Sequence, residues 1–135
     1  MDTAHVTYLG QLRTEALHLR SGEKIITDAP VDNHGKGASF SPTDLLSTSL
    51  ACCMLTLMGI AAESRQIPLN GLKARVVKHM VAGPRRVERI EVHVQLEGAG
   101  LNGSQRQIIE QAARTCPVAM SLREDLVKEM TFIYI

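Results

Sequence analysis

The chain has no tryptophan, and its aromatic side chains are two Tyr and two Phe, 3% of the residues. So sparse a set excludes the stacked aromatic platform on which single-stranded nucleic acids are held. An excess of one charge is also missing: 15 Lys and Arg stand against 14 Asp and Glu, a net +1 over 135 residues. That balance gives no broad attraction for nucleic acid, anionic membranes or acidic ligands. Arg85, Arg86 and Arg89 form a small basic cluster that reads as a solvated strand face. Cysteine is scarce: Cys52, Cys53 and Cys116 are too few and too unevenly spaced for a disulfide scaffold. Neither Cys-x-x-Cys nor His-x-x-x-His occurs among the three Cys and five His, which argues against a metal site. The Walker, dinucleotide and nucleophile-elbow patterns are missing as well.

Residues 1–5 show no basic region followed by an apolar run. The expectation is therefore no signal peptide, a cytoplasmic location and reduced thiols. Residues 45–62 contain no charged side chain. This stretch is shorter than the roughly 20 residues of a spanning helix. It carries Ser47, Thr48, Ser49 and Thr56, and Asp44, Glu63 and Arg65 close its ends. A buried central helix is expected rather than a membrane span.

Residues 6–9, 14–20 and 24–27 read as three short strands, punctuated by Gly10, by Ser21-Gly22 and by Asp28-Ala29-Pro30. A loop follows whose Gly35-Lys36-Gly37 lacks the spacing of a phosphate cradle. Ser41 at the N-cap, Pro42 at the first helical position and an acid at Asp44 mark a helix start. That helix should run to about Arg65, with Pro68 beyond it. Residues 72–76 alternate, Ala82-Gly83-Pro84 breaks the chain, and Ile90, Val92, Val94 and Leu96 alternate with polar neighbours. These runs predict a long antiparallel hairpin with one wet face. Ser104-x-x-Gln107 predicts a capping box that opens a second helix. Pro117 interrupts that helix, residues 118–126 allow another turn or two, and residues 130–135 suit a last strand. Strands and helices are segregated, so the prediction is α+β with mostly antiparallel sheet, a single domain over residues 1–135.

Cys53 lies in the middle of the apolar helix, where composition alone reads it as a small core residue. Cys52 sits about 100° away around the helix, so the adjacent pair is not expected to bond to itself. Cys116 precedes Pro117 and is a candidate N-cap, where backbone N–H groups favour a thiolate. A peroxidatic cycle needs a nucleophilic thiolate, a cation and often a second thiol. Spacing alone leaves open whether Cys53 and Cys116 meet.

Two separated motifs carry a family resemblance. Ser41-Pro42-Thr43-Asp44-Leu45-Leu46, followed by Ala51-Cys52-Cys53-Met54 and Thr56-Leu57, resembles the first cysteine helix of the OsmC/Ohr family. Thr115-Cys116-Pro117-Val118 with Ser121-Leu122 resembles its second cysteine motif. The similarity is to the broad OsmC-like branch. It implies an intertwined α+β homodimer with active sites at the subunit interface. It also implies thiol-dependent reduction of hydroperoxides, with Cys53 attacking and Cys116 resolving. The family's thiolate-stabilising Arg falls on Arg13, with Arg20 as the second choice. Many members carry Glu directly after the helix-starting Pro, where it holds that Arg. Thr43 occupies this position here, and Asp44, one residue on, is the substitute the resemblance offers. The resemblance implies no cofactor, whether metal, flavin or haem, and a dithiol reductant such as a lipoylated protein. Met54, Leu57 and Met58 are the expected lining of an apolar substrate pocket. No nucleic acid or membrane partner is expected. The competing expectation is an OsmC-like dimer that binds a small ligand or electrophile with little peroxidase turnover.

Overall fold

The computed structural model describes all 135 residues and divides into two compact units, Met1–Leu46 and Ser47–Ile135. In the first unit, β1 (Ala4–Gly10), β2 (Arg13–His18) and β3 (Lys24–Asp28) form an antiparallel sheet in the order β1-β2-β3. Gln11 and Leu12 join β1 to β2 at φ 55° and 63°. Two consecutive positive φ values match the twist of a tight hairpin, here without the usual Asn-Gly. After β3 the chain makes a short 3₁₀ turn, Val31–Asn33. The turn is pinned by Gly35 N donating to Pro30 O at 3.0 Å and Gly37 N to Ala29 O at 3.2 Å. A Cβ on Gly35 would lie 1.7 Å from Ala29 O, so only glycine fits there. Asp28 N donates to Phe40 O at 3.1 Å, and Ala38 N to Asp28 Oδ2 at 2.9 Å.

Helix α1 (Pro42–Ser64) starts as expected. Asp44 N donates to Ser41 Oγ and Ser41 N donates to Asp44 Oδ2, each at 3.0 Å. This reciprocal pair is a capping box and satisfies two amides that the helix leaves over. No apolar side chain of Met1–Leu46 is buried; the buried residues there are Thr27, Asp28 and Ser41.

The second unit holds the hydrophobic core. Strands β4 (Lys73–Val81), β5 (Arg86–Leu96) and β6 (Val127–Tyr134) form its sheet in the order β4-β5-β6. β4 and β5 are the predicted antiparallel hairpin, whereas β6 runs parallel to β5. A parallel neighbour requires a crossover. It is supplied by α2 (Gly103–Arg114) and α3 (Pro117–Ser121). Ile90, Val92, Val94 and Leu96 of β5 are fully buried, together with Leu50, Met54 and Met58 of α1 and Ile109 and Ala113 of α2. The alternation expected along β5 is present in full: Glu91, His93 and Gln95 lie on the other face, half-buried.

Three expectations are corrected. The box that opens α2 is Asn102 with Gln105, not Ser104 with Gln107. Gln105 N donates to Asn102 Oδ1 at 2.8 Å and Asn102 N to Gln105 Oε1 at 3.0 Å. α3 stops at Ser121. α1 is buried along one stripe only, Ser47, Leu50, Ala51, Met54, Met58 and Ala62. Leu46 and Ile60, on other faces of the helix, are exposed. By length and composition alone α1 passes the test for a membrane span, a test that core helices also pass.

On the polar face of the second sheet, Glu91 is hydrogen-bonded by His79 and by His93, the latter at 3.1 Å. Arg89 Nη1 lies 2.9 Å from Glu129 and 3.6 Å from Glu91. The His79 bond, then the His93 bond, then Arg89 hold the Glu91 carboxyl below its ordinary range. A carboxyl depressed on folding stabilises above its unfolded value of about 4.3, and the stabilisation is lost as pH falls through the folded value. Glu91→Gln should therefore destabilise the protein at neutral pH and lose its effect as pH falls through the depressed Glu91 value, as urea denaturation across a pH series would show. Ile109→Ala, in the fully buried core, should cost about 2–5 kcal/mol in the same assay at neutral pH.

Candidate active site

Cys53 immediately precedes Met54, whose side chain belongs to the buried stripe of α1. One step off that stripe, Cys53 is half-buried and packs against the core. Cys116 comes from the far end of the chain's core. It continues the buried face of α2 past Ile109 and Ala113 and is fully buried. It is also the N-cap of α3, with extended backbone (φ −63°, ψ 152°) and Pro117 at the first position. Pro suits that position because its missing N–H would have no helical acceptor.

Cys53 lies close enough to Cys116 to perturb its thiol. Burial pushes the Cys116 thiol above its ordinary value, the Ala119 amide pulls it down, the Cys53 thiol raises it further, and the Val118 amide lowers it. Burial thus disfavours charge on Cys116, and the Ala119 and Val118 amides oppose that effect. All three cysteines are free thiols. Cys52 is exposed. Thr56 Oγ1 donates to the Cys52 carbonyl at 2.8 Å.

Of the apolar residues expected near Cys53, Met54 and Met58 have no exposed surface and Leu57 is half-buried against the core. The remaining candidates belong to the first unit. Arg13 opens β2 opposite Asp28 of β3 and is half-buried, and its Nε is buried without a hydrogen-bond partner. Arg20 is exposed in the turn after β2. Thr43 Oγ1 lies 3.3 Å from Ser41 Oγ, and Asp44 closes the capping box of α1. No group of three or more His, Cys, Asp or Glu is arranged to hold a metal ion.

Sequence reasoning missed Asp28. Its place in Asp28-Ala29-Pro30 marks a turn, and turn acids are ordinarily solvated. Here the side chain is 1% exposed, and its Oδ1 is buried without a partner. The available signal was an acid placed directly after Ile25-Ile26-Thr27.

Comparison with known proteins places this arrangement in a family. The family described as OsmC-like protein matches residues 34–130, most of the chain. The crystal structure of an osmotic stress induced and detoxification response protein from Psychrobacter arcticus is 48% identical. It aligns over 98% of this chain and 96% of that one, with a TM-score of 0.92. An OsmC-like protein from Mycoplasma pneumoniae shares the fold at 17% identity and TM-score 0.81, over 98% of this chain and 96% of that one. An organic hydroperoxide resistance protein from Legionella pneumophila does so at 16% and 0.76, over 100% and 98%. No curated protein matches the chain. The extent of the family match and the shared α+β fold establish that the chain belongs to the OsmC/Ohr family, which is associated with hydroperoxide resistance and osmotic stress.

Proposed function

We propose that the chain is a cytoplasmic thiol-dependent peroxidase that reduces organic hydroperoxides through Cys53 and Cys116. The observation that carries this reading is the nearness of a half-buried thiol on α1 to a fully buried thiol at the start of α3, close enough for Cys53 to raise Cys116. In the proposed cycle the Cys53 thiolate attacks the terminal peroxide oxygen, the O–O bond breaks, and the alkoxide leaves and takes up a proton. Cys53 becomes a sulfenic acid. The Cys116 sulfur then attacks the Cys53 sulfur, an S–S bond forms, and the hydroxyl departs as water with the Cys116 proton. The Ala119 and Val118 amides oppose the cost of charge on Cys116 during this step. A dithiol, such as a lipoylated protein, returns both thiols and is itself oxidised to a disulfide. No cofactor enters the cycle. Arg13 is the proposed cation for the thiolate and the departing alkoxide.

The working form in this reading is a homodimer. Its support is physical: Met1–Leu46 buries no apolar side chain, and Val6, Tyr8, Leu9, Leu12 and Ile25 there are exposed. A three-stranded sheet is stable when a hydrophobic face is covered. The second reading, a ligand- or electrophile-binding dimer with little turnover, is favoured by Thr43 where many family members carry Glu.

One equivalent of an organic hydroperoxide, followed by peptide mass spectrometry, decides between them. The expected product is a Cys53–Cys116 disulfide, with sulfenic acid trapped on Cys53 in Cys116→Ser and no oxidation in Cys53→Ser. Thiols left intact would favour the binding reading. Cys53→Ala removes two of the causes that raise Cys116, so alkylation of Cys116 by a small neutral reagent should move to lower pH. It should stay above the profile of a free thiol, because burial is the larger cause.

A further inference from the structure

We infer that Asp28 is the positioning carboxylate for Arg13, an inference that rests on the role proposed for Arg13 above. Arg13 and Asp28 are direct partners in the register of β2 and β3. Directly opposed residues on antiparallel strands project to the same face, with Cβ atoms about 5 Å apart, well within the reach of a guanidinium. Each carries a buried polar atom without a partner: Nε on Arg13, a donor, and Oδ1 on Asp28, an acceptor. The orphan atoms are complementary in charge and in hydrogen-bonding sense. A carboxylate that is 1% exposed is expected to face a cation.

The two oxygens of Asp28 have separate tasks. Oδ2 accepts the Ala38 amide and ties the 30–40 loop to β3. Phe40 O, accepting from the Asp28 amide, and the close approach of Gly35 to Ala29 hold that loop and so fix the carboxylate. Oδ1 is left for the guanidinium. Nearby polar groups are engaged elsewhere: Thr27 with Thr14, and Ser39 Oγ with Ile26 O. Thr43 carries no charge, and Asp44 Oδ2 closes the helix cap. In this chain the anchor of the Arg therefore lies on the neighbouring strand, not on the helix.

Asp28→Asn is the informative change, because the amide oxygen still accepts from Ala38 N while an NH₂ group now faces the guanidinium. It is compared with Arg13→Gln and with the double variant, all in a Cys52→Ala background so that alkylation of Cys53 by iodoacetamide can be assigned by peptide mass spectrometry. Cumene hydroperoxide consumption and thermal melting are read in parallel. Asp28→Asn should move the pH profile of Cys53 alkylation upward by about one unit and slow peroxide consumption about tenfold. In the Arg13→Gln background it should change either by less than about twofold. It should lower the melting temperature of the parent but not that of Arg13→Gln, where the cation is already gone.

A profile that moves down, the direction expected for simple loss of a nearby negative charge, would overturn the inference. An unmoved profile would do the same, as would effects that multiply across the two sites. Loss of folding in both backgrounds would reduce Asp28 to a loop anchor. If the parent consumes no peroxide but the alkylation coupling holds, the peroxidase reading fails and the Arg13–Asp28 pairing stands. If Arg13→Gln leaves Cys53 alkylation unchanged, both the role of Arg13 and this inference fall.

Discussion

The buried stripe along α1 sets the position of everything chemical in the second unit. Leu50, Met54 and Met58 are fully covered by the same core that takes Ile90, Val92 and Val94 from β5 and Ile109 from α2. Rotating α1 by one residue would exchange Cys53 for Met54 and remove the thiol from Cys116. The hydrophobic packing that stabilises the unit therefore also keeps Cys53 in the neighbourhood of Cys116. Close-packed interiors tolerate such rotations poorly, since each displaced side chain forfeits its contacts. Substitutions in the stripe should be felt at the thiols before they unfold the chain.

The site divides two sulfurs by environment. Cys53 is partly open and Cys116 is sealed, so a small molecule in solution can reach the first but not the second. The N-cap position of Cys116 adds a local source of positive potential inside an apolar region, which makes a transient anion tolerable there. In the first unit the logic is polar rather than apolar: hydrogen bonds through Asp28, Ser41 and Asp44 organise the loop and the helix start.

Much of this was legible from the residues. Period-2 alternation placed β5, the Ser41-Pro42-x-Asp44 pattern placed the start of α1, and Cys116-Pro117 placed a helix start, each because a local physical requirement has few solutions. The pieces that were not legible depend on long-range partners. β6 is parallel because α2 and α3 cross over, which no pattern in residues 127–134 announces. The helix box lies at Asn102 and Gln105, whereas Ser104-x-x-Gln107 offers a second capping residue followed by Gln two positions later. The β1–β2 turn uses Gln11 and Leu12, which give no turn signal at all. Asp28 looks like an ordinary turn acid until its burial is known.

The distribution of buried apolar residues also bears on synthesis at the ribosome. Met1–Leu46 precedes the core in the chain but buries nothing apolar, and the buried apolar set runs from Leu50 to Leu126. β6 must then pair in parallel with β5, a contact that closes a long loop of chain and is intrinsically slow. The nascent polypeptide consequently exposes an 18-residue stretch free of charge, residues 45–62, well before the strands that cover it exist. For that interval α1 resembles a membrane-seeking segment. The serines and threonines within it and the charges that flank it are residues of the kind that lower the tendency of such a stretch to aggregate.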